Sequence, residues 1–325
     1  MELFLDRIAL SVLSILLIVV QTILGMTRAW PVNRHNFKKG WYPNDEPPQW
    51  VIDDPTFEYW ERSFFCEHLY SFEEHEWFCQ PANGISSYAF IIPAVYAAYT
   101  STPKFTKLFI VECLFIAGNV WNTFGNIAYH GFCAYYGLEL DKSGFTWLLA
   151  NLATLSIYCV VMKYRSFRIT SVLRFAVLYF SVVIFMAMVG EAYAINAFGY
   201  GSEGILGMIG FYGGIILLSS LLIIFWNRSY KSFSDFWFNN WTALVALLCV
   251  IVGFTCWLLQ ENAGYCWERS WFQFHACWHV MMAFSALFYY IFLHREFVAT
   301  DIKYGATVEE IDKLISTTHS IHQFQ

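Results

Sequence analysis

His275 and His279 stand four residues apart near the start of an otherwise apolar stretch, Trp271 to Leu293. An imidazole in hydrocarbon is costly unless something satisfies it. The i, i+4 spacing puts both rings on one helical face. A third histidine, His130, lies near the end of another apolar run, and Asp141 follows it by eleven residues. Three neutral imidazoles can hold a zinc ion and leave its fourth position open to water, whose pKa the ion lowers to about 7. A nearby carboxylate such as Asp141 can orient or deprotonate that water. HxxxH lacks the neighbouring glutamate of HExxH, so the base must come from elsewhere in the chain. The competing reading is that each histidine is a polar side chain satisfied by backbone or by the membrane interface.

The elements that must bring these residues together are membrane helices. Of the 325 residues, 58% are hydrophobic, 20% aromatic and only 14% charged, with a mean hydropathy of +0.45. That composition points to an integral membrane protein. The net charge of -6 includes no basic block, which argues against a nucleic-acid partner. A spanning helix needs about 20 mostly apolar residues. Eight candidates meet this: 8–26, 84–101, 107–132, 144–163, 172–190, 203–226, 238–260 and 273–293. The first could also be read as a signal peptide. Its poorly basic start (Glu2, Asp6, Arg7) and long apolar run favour an uncleaved anchor. Residues 27–83 are polar, acidic and proline-punctuated, and a polar tail follows residue 295.

Lys104, Lys107, Lys163, Arg165, Arg168, Arg174, Arg228, Lys231, Arg295, Lys303 and Lys313 fall on one side of this arrangement, and only Lys142 and Arg269 in the short loops of the other. The charge bias predicts a cytoplasmic C-terminus and a lumenal 27–83 segment. His130, Asp141, His275 and His279 then share the lumenal leaflet. Glu112 belongs to the other half of its helix and reads equally well as a buried, hydrogen-bonded carboxyl. Glu191 and Glu261 are expected to be solvated.

The order His130, Asp141, then His275-Ala-Cys-Trp-His279 resembles the alkaline ceramidases, which belong to a superfamily of seven-helix membrane hydrolases. "FQFHACWHVMMAFSAL" is similar to that family's last-helix motif, "NGISSYAFIIPAVYA" (Asn83 to Ala97) to its first core helix, and "FFCEH" (Phe64 to His68) to its Trp-Cys-Glu signature. The resemblance covers about residues 64–295. It implies an all-α, polytopic fold with a seven-helix domain over 84–295. The anchor (1–26), the lumenal segment (27–83) and the tail (296–325) would be additions.

The resemblance also implies that zinc is bound by His130, His275 and His279, and that Asp141 is the acid/base carboxylate. The substrate would be a ceramide-like membrane lipid, hydrolysed to a sphingoid base and a fatty acid. Asn126 stands where the family has a serine four residues before the first histidine, and its carboxamide could donate to an oxyanion. The family's calcium site is thinned: Phe64 and Phe65 replace an acid and an aromatic signature residue, Gln80 stands where a Glu would precede the helix, and Glu67 alone clearly matches. Glu73, Glu74 and Glu76 are candidate substitutes, but an intact Ca²⁺ site is the less expected outcome. A Cys66–Cys266 disulfide is implied, with Cys79–Cys133 a weaker pair. Cys113, Cys159, Cys249 and Cys256 are expected as apolar fillers, and Cys277 as pointing away from the histidines.

Intact ligand positions in altered surroundings also fit a second reading: a catalytically weak or silent relative in which zinc only staples helices. Such a protein would serve as a structural subunit of a membrane complex, for example a respiratory one. The extra helix and the aromatic surplus would then meet protein partners. The expected address is an ER- or Golgi-type membrane, with the mitochondrial inner membrane as the alternative.

Overall fold

The computed structural model describes residues 80–100, 107–131, 137–165, 169, 171–198, 202–225, 232–261 and 272–304. The expected anchor over 8–26, Cys66, Glu67, Cys79, Cys133, Cys266 and the tail beyond 304 lie outside these residues. Among the described residues every regular element is helical. They are α1 (Pro81–Ser86), a 3₁₀ turn (Ser87–Phe90), α2 (Ile91–Thr100), α3 (Lys107–Asn126) with a terminal π-helical turn (Ile127–Gly131), α4 (Gly137–Arg165), α5 (Val172–Phe198), α6 (Ser202–Phe225), α7 (Phe233–Glu261) and α8 (Phe274–Tyr304).

Among the described residues, six helical runs are long and apolar enough to cross a membrane: Lys107–Gly131, Leu140–Lys163, Val172–Tyr193, Leu206–Phe225, Phe233–Gln260 and Phe274–Ala299. The protein is an all-α polytopic membrane protein. The six runs match the apolar segments expected from residue 107 onward. The segment expected at 84–101 is helical but built in three pieces. Pro81 starts it where a missing N–H costs nothing. Pro93 cannot donate to the carbonyl of Ala89, and the chain tightens into the 3₁₀ turn just before it.

Two boundaries differ from expectation. Helix α4 begins at Gly137, so Asp141 lies inside a helix and not at its mouth. Helix α8 runs on to Tyr304, past the expected end of the domain at 295. Its polar continuation is held by half-buried contacts: Glu296 lies 3.6 Å from Lys163, and Arg295 donates to Thr242 Oγ1 at 2.6 Å. The extension also brings His294 into the bundle, a fourth buried histidine beyond the three counted from the spans.

Helices α3, α4 and α8 are the inner members. In α4, 67% of the spanning window is buried, against 22% in α5, whose apolar side chains largely face outward. The α3–α4 seam is closed by glycine. A Cβ on Gly125 would strike the Leu140 carbonyl and the Asp141 amide, and one on Gly144 would lie 2.6 Å from the Asn122 Cα. Only hydrogen fits at these crossings, as is common where membrane helices pack closely. Helices α6 and α7, consecutive in the chain, are not among the closely packed pairs of described elements. An apolar cleft of about 390 Å³ lies between them, with α4 and α8 contributing to its walls.

Candidate metal centre

Each functional side chain is placed by a different local device. His130 sits in the π-helical turn, which inserts an extra residue into the end of α3 and rotates its last side chains. His275 and His279 occupy the first two turns of α8. The opening of that helix is held by the Gln260 side chain, whose Oε1 accepts from the His275 backbone N–H at 2.9 Å. The expected assembly of the three histidines is present. Their ring centroids are 5.0 Å (His130–His275), 4.9 Å (His130–His279) and 4.6 Å (His275–His279) apart. One ligand nitrogen from each lies within 4.8 Å of the others. All three are buried, with exposures of 1%, 4% and 3%.

The donor set fits zinc. An ion about 2.0–2.1 Å from three imidazole nitrogens, in tetrahedral geometry, holds the rings about 5 Å apart. In His130 and His279 the second ring nitrogen is held as a metal ligand requires. Nδ1 of His130 lies 2.7 Å from Gln80 Oε1, an acceptor, so Nδ1 carries the proton and Nε2 is left to ligate. The Gln80 backbone N–H donates to the His130 carbonyl at 3.0 Å, so one residue grips both ends of the histidine. Nδ1 of His279 lies 3.3 Å from the Asn83 carbonyl and 3.0 Å from Ser86 Oγ. That again directs Nε2 inward. Cys277 is not part of the cluster, and the described cysteines, Cys113, Cys159, Cys249, Cys256 and Cys277, are free.

Asp141 joins the site by way of α4. Together with Asn126, Lys142, His275 and His279 it lines a cavity of about 40 Å³, enough for ordered water. Asn126 Nδ2 donates to Asp141 Oδ1, and also to the carbonyl and Oδ1 of Asn122 at 3.0 and 3.2 Å. Its two protons are therefore committed. Asn126 holds the carboxylate, a different task from the oxyanion donor expected for it.

Several residues of the site escaped the sequence reading. Gln80 registered only as a missing acid. Asn83, Ser86 and Gln260 carried no motif. Asn119 and Asn122 did leave a signal: with Asn126, already singled out, they are carboxamides recurring on one face of an apolar helix, all buried. Lys142, read as a loop cation, lines the cavity. At the other end of the bundle Glu112 is fully buried, 3.3 Å from His294 Nε2, and Tyr290 donates to it at 3.5 Å. This is the hydrogen-bonded carboxyl foreseen as its plainer reading. Glu191 is exposed, as expected.

Fold and site together define a polytopic helical membrane protein whose inner helices gather three histidines and a carboxylate at one end of the bundle. No protein-family profile matches the chain, and no curated protein matches it.

Proposed function

We propose that the protein is a zinc-dependent intramembrane hydrolase of a lipid amide, splitting a ceramide-like substrate into a sphingoid base and a fatty acid. One observation carries this reading. The small cavity beside His275, His279 and Asp141 shares two walls, Phe90 and Phe145, with the apolar cleft between α6 and α7. The cavity and the cleft therefore adjoin, so that a group reacting in the one would lie next to a hydrocarbon chain in the other. The cleft extends along α6 from Ile209 to Phe225, about 24 Å at the helical rise.

A zinc ion held by His130, His275 and His279 would polarise the amide carbonyl and acidify a water. The chain's own residues supply the rest. Asn126 fixes one oxygen of Asp141, leaving the other as the acceptor for a proton from the attacking water. The new C–O bond forms as the C–N bond breaks, and Asp141 passes the proton to the departing amine nitrogen. The products are a carboxylic acid and an amine. Gln80 and Asn83 keep two imidazoles in one tautomer throughout. Phe90, Phe145, Trp257 and Trp278 wall the cavity and limit bulk water.

The resemblance to alkaline ceramidases supports the same reading, and an ER- or Golgi-type membrane with the site in the lumenal leaflet is the setting it favours. The test uses the full chain, purified in detergent with zinc, and fatty-acid release from ceramide. Asp141→Asn is expected to lower the rate roughly 10²–10⁴-fold while zinc stays bound. A zinc-loaded wild type that releases nothing would leave the structural-subunit reading in its place.

A further inference from the structure

The cleft between α6 and α7 is lined almost entirely by hydrocarbon, with three exceptions: Ser220 on α6, and Ser285 and Tyr289 on α8. Ser285 and Tyr289 are one helical turn apart on the same face. Ser220 Oγ and Tyr289 OH are 2.8 Å apart, Ser220 also reaches the Ile216 carbonyl at 2.7 Å, and Tyr289 OH lies 3.4 Å from that same carbonyl and within hydrogen-bond reach of the Ser156 hydroxyl. Ser156 returns its own proton to the Ala153 carbonyl at 2.8 Å, and the assignment that follows the shortest contacts has Ser220 donating to Ile216 and Tyr289 donating to Ser220. The protons of this pair are then spent, and lone pairs remain.

Ser285 differs. It is 93% buried, on its 7% exposure, and its side chain is on the cleft wall. Serines inside helices ordinarily return their proton to a carbonyl of the preceding turn, as Ser220 does. For Ser285 no such bond is found among the described residues. The wall therefore offers a free donor one turn from a pair with spare acceptors, in a cleft that is otherwise apolar. A hydroxyl group is the complement of that arrangement, because it both accepts and donates. A ketone or an ether can only accept.

We propose that the cleft selects a hydrocarbon chain carrying a hydroxyl in its interior, with Ser285 as the positioning donor and the Ser220–Tyr289 pair as acceptor. This deepens the lipid-amidase reading and rests on it only in taking the cleft as the seat of a lipid chain. The position along the chain follows from the helix. Ser285 is six residues beyond His279, about 9 Å along α8, so the hydroxyl belongs in the middle of the chain and not beside the reacting amide.

The test is a binding measurement that needs no turnover. Stearic acid and a positional series of hydroxystearic acids compete with a fluorescent fatty acid for the full-length protein in detergent. One mid-chain isomer is expected to bind about 3–10-fold more tightly than stearic acid, the yield of one net hydrogen bond. Ser285→Ala should erase that preference and Ser285→Thr, which keeps the hydroxyl, should retain it, with thermal melts checking that both variants fold. Equal binding of all isomers, a preference that survives Ser285→Ala, or no chain binding at all would each overturn the proposal. A failed ceramide assay with the isomer preference intact would remove the amidase reading and leave this one standing.

Discussion

At the scale of single residues, the site depends on which ring nitrogen of each histidine holds its proton. The pairing of His130 Nδ1 with Gln80 Oε1 decides this for one ligand. Such partners hold the ring in register, and their loss typically costs 10–100-fold in metal affinity. Gln80→Leu is therefore expected to weaken zinc binding by about that factor in competition with a chelator, with the three histidines untouched. Unchanged affinity would mean that Gln80 merely packs. The histidines themselves were legible because ionisable side chains in apolar runs are rare and topology put them at one depth. Gln80 was not, because an amide at a helix start has many uses, and only the fold shows that its oxygen meets an imidazole fifty residues away. Asn126 illustrates the opposite case: its position was legible and the orientation of its carboxamide was not, since that is set by Asn122 one turn back on α3 and by Asp141 across the α3–α4 seam.

Among the elements, the seam of α3 and α4 is what makes Asp141 a neighbour of the histidines. At Gly125 the obstacle to a methyl group is backbone, the Leu140 carbonyl and the Asp141 amide, which cannot swing aside as a flexible side chain would. Gly125→Ala is expected to destabilise the protein by about 1–3 kcal/mol and to displace Asp141 from the cavity. A thermal melt and a turnover assay would register both effects. Gly210→Ala on α6 is the matched control, because a Cβ there meets nothing within 4 Å. Equal melts for the two variants would contradict the seam. The spanning helices could be read from the sequence because the hydrocarbon core demands about 20 apolar residues. The π turn carrying His130, the 3₁₀ turn before Pro93 and the early start of α4 could not. Each answers a local need, an extra residue, a missing N–H or a close glycine crossing, that apolar run length does not encode.

For the molecule as a whole, the proposed lipid hydrolysis requires the cavity and the cleft to be joined. No motif marks the cleft. It exists because α6 and α7 part after adjoining in sequence, and Gly213 lines the opening without a side chain. Gly213→Trp is expected to fill it. Each methylene denied burial costs about 0.8 kcal/mol, so kcat/KM for a long-chain amide should fall by tenfold or more. A short-chain analogue should be nearly unaffected. Equal losses for both chain lengths would mean that the chain binds elsewhere.

A metal centre with three protein ligands and one open position has a distinct signature in zinc K-edge X-ray absorption on the purified full chain. The expected result is one zinc per chain, with three imidazole nitrogens at about 2.0–2.1 Å, a single further light ligand from solvent, and loss of the metal in His279→Ala. Protein without bound zinc, or a closed shell in which a fourth protein side chain completes the tetrahedron, would contradict it.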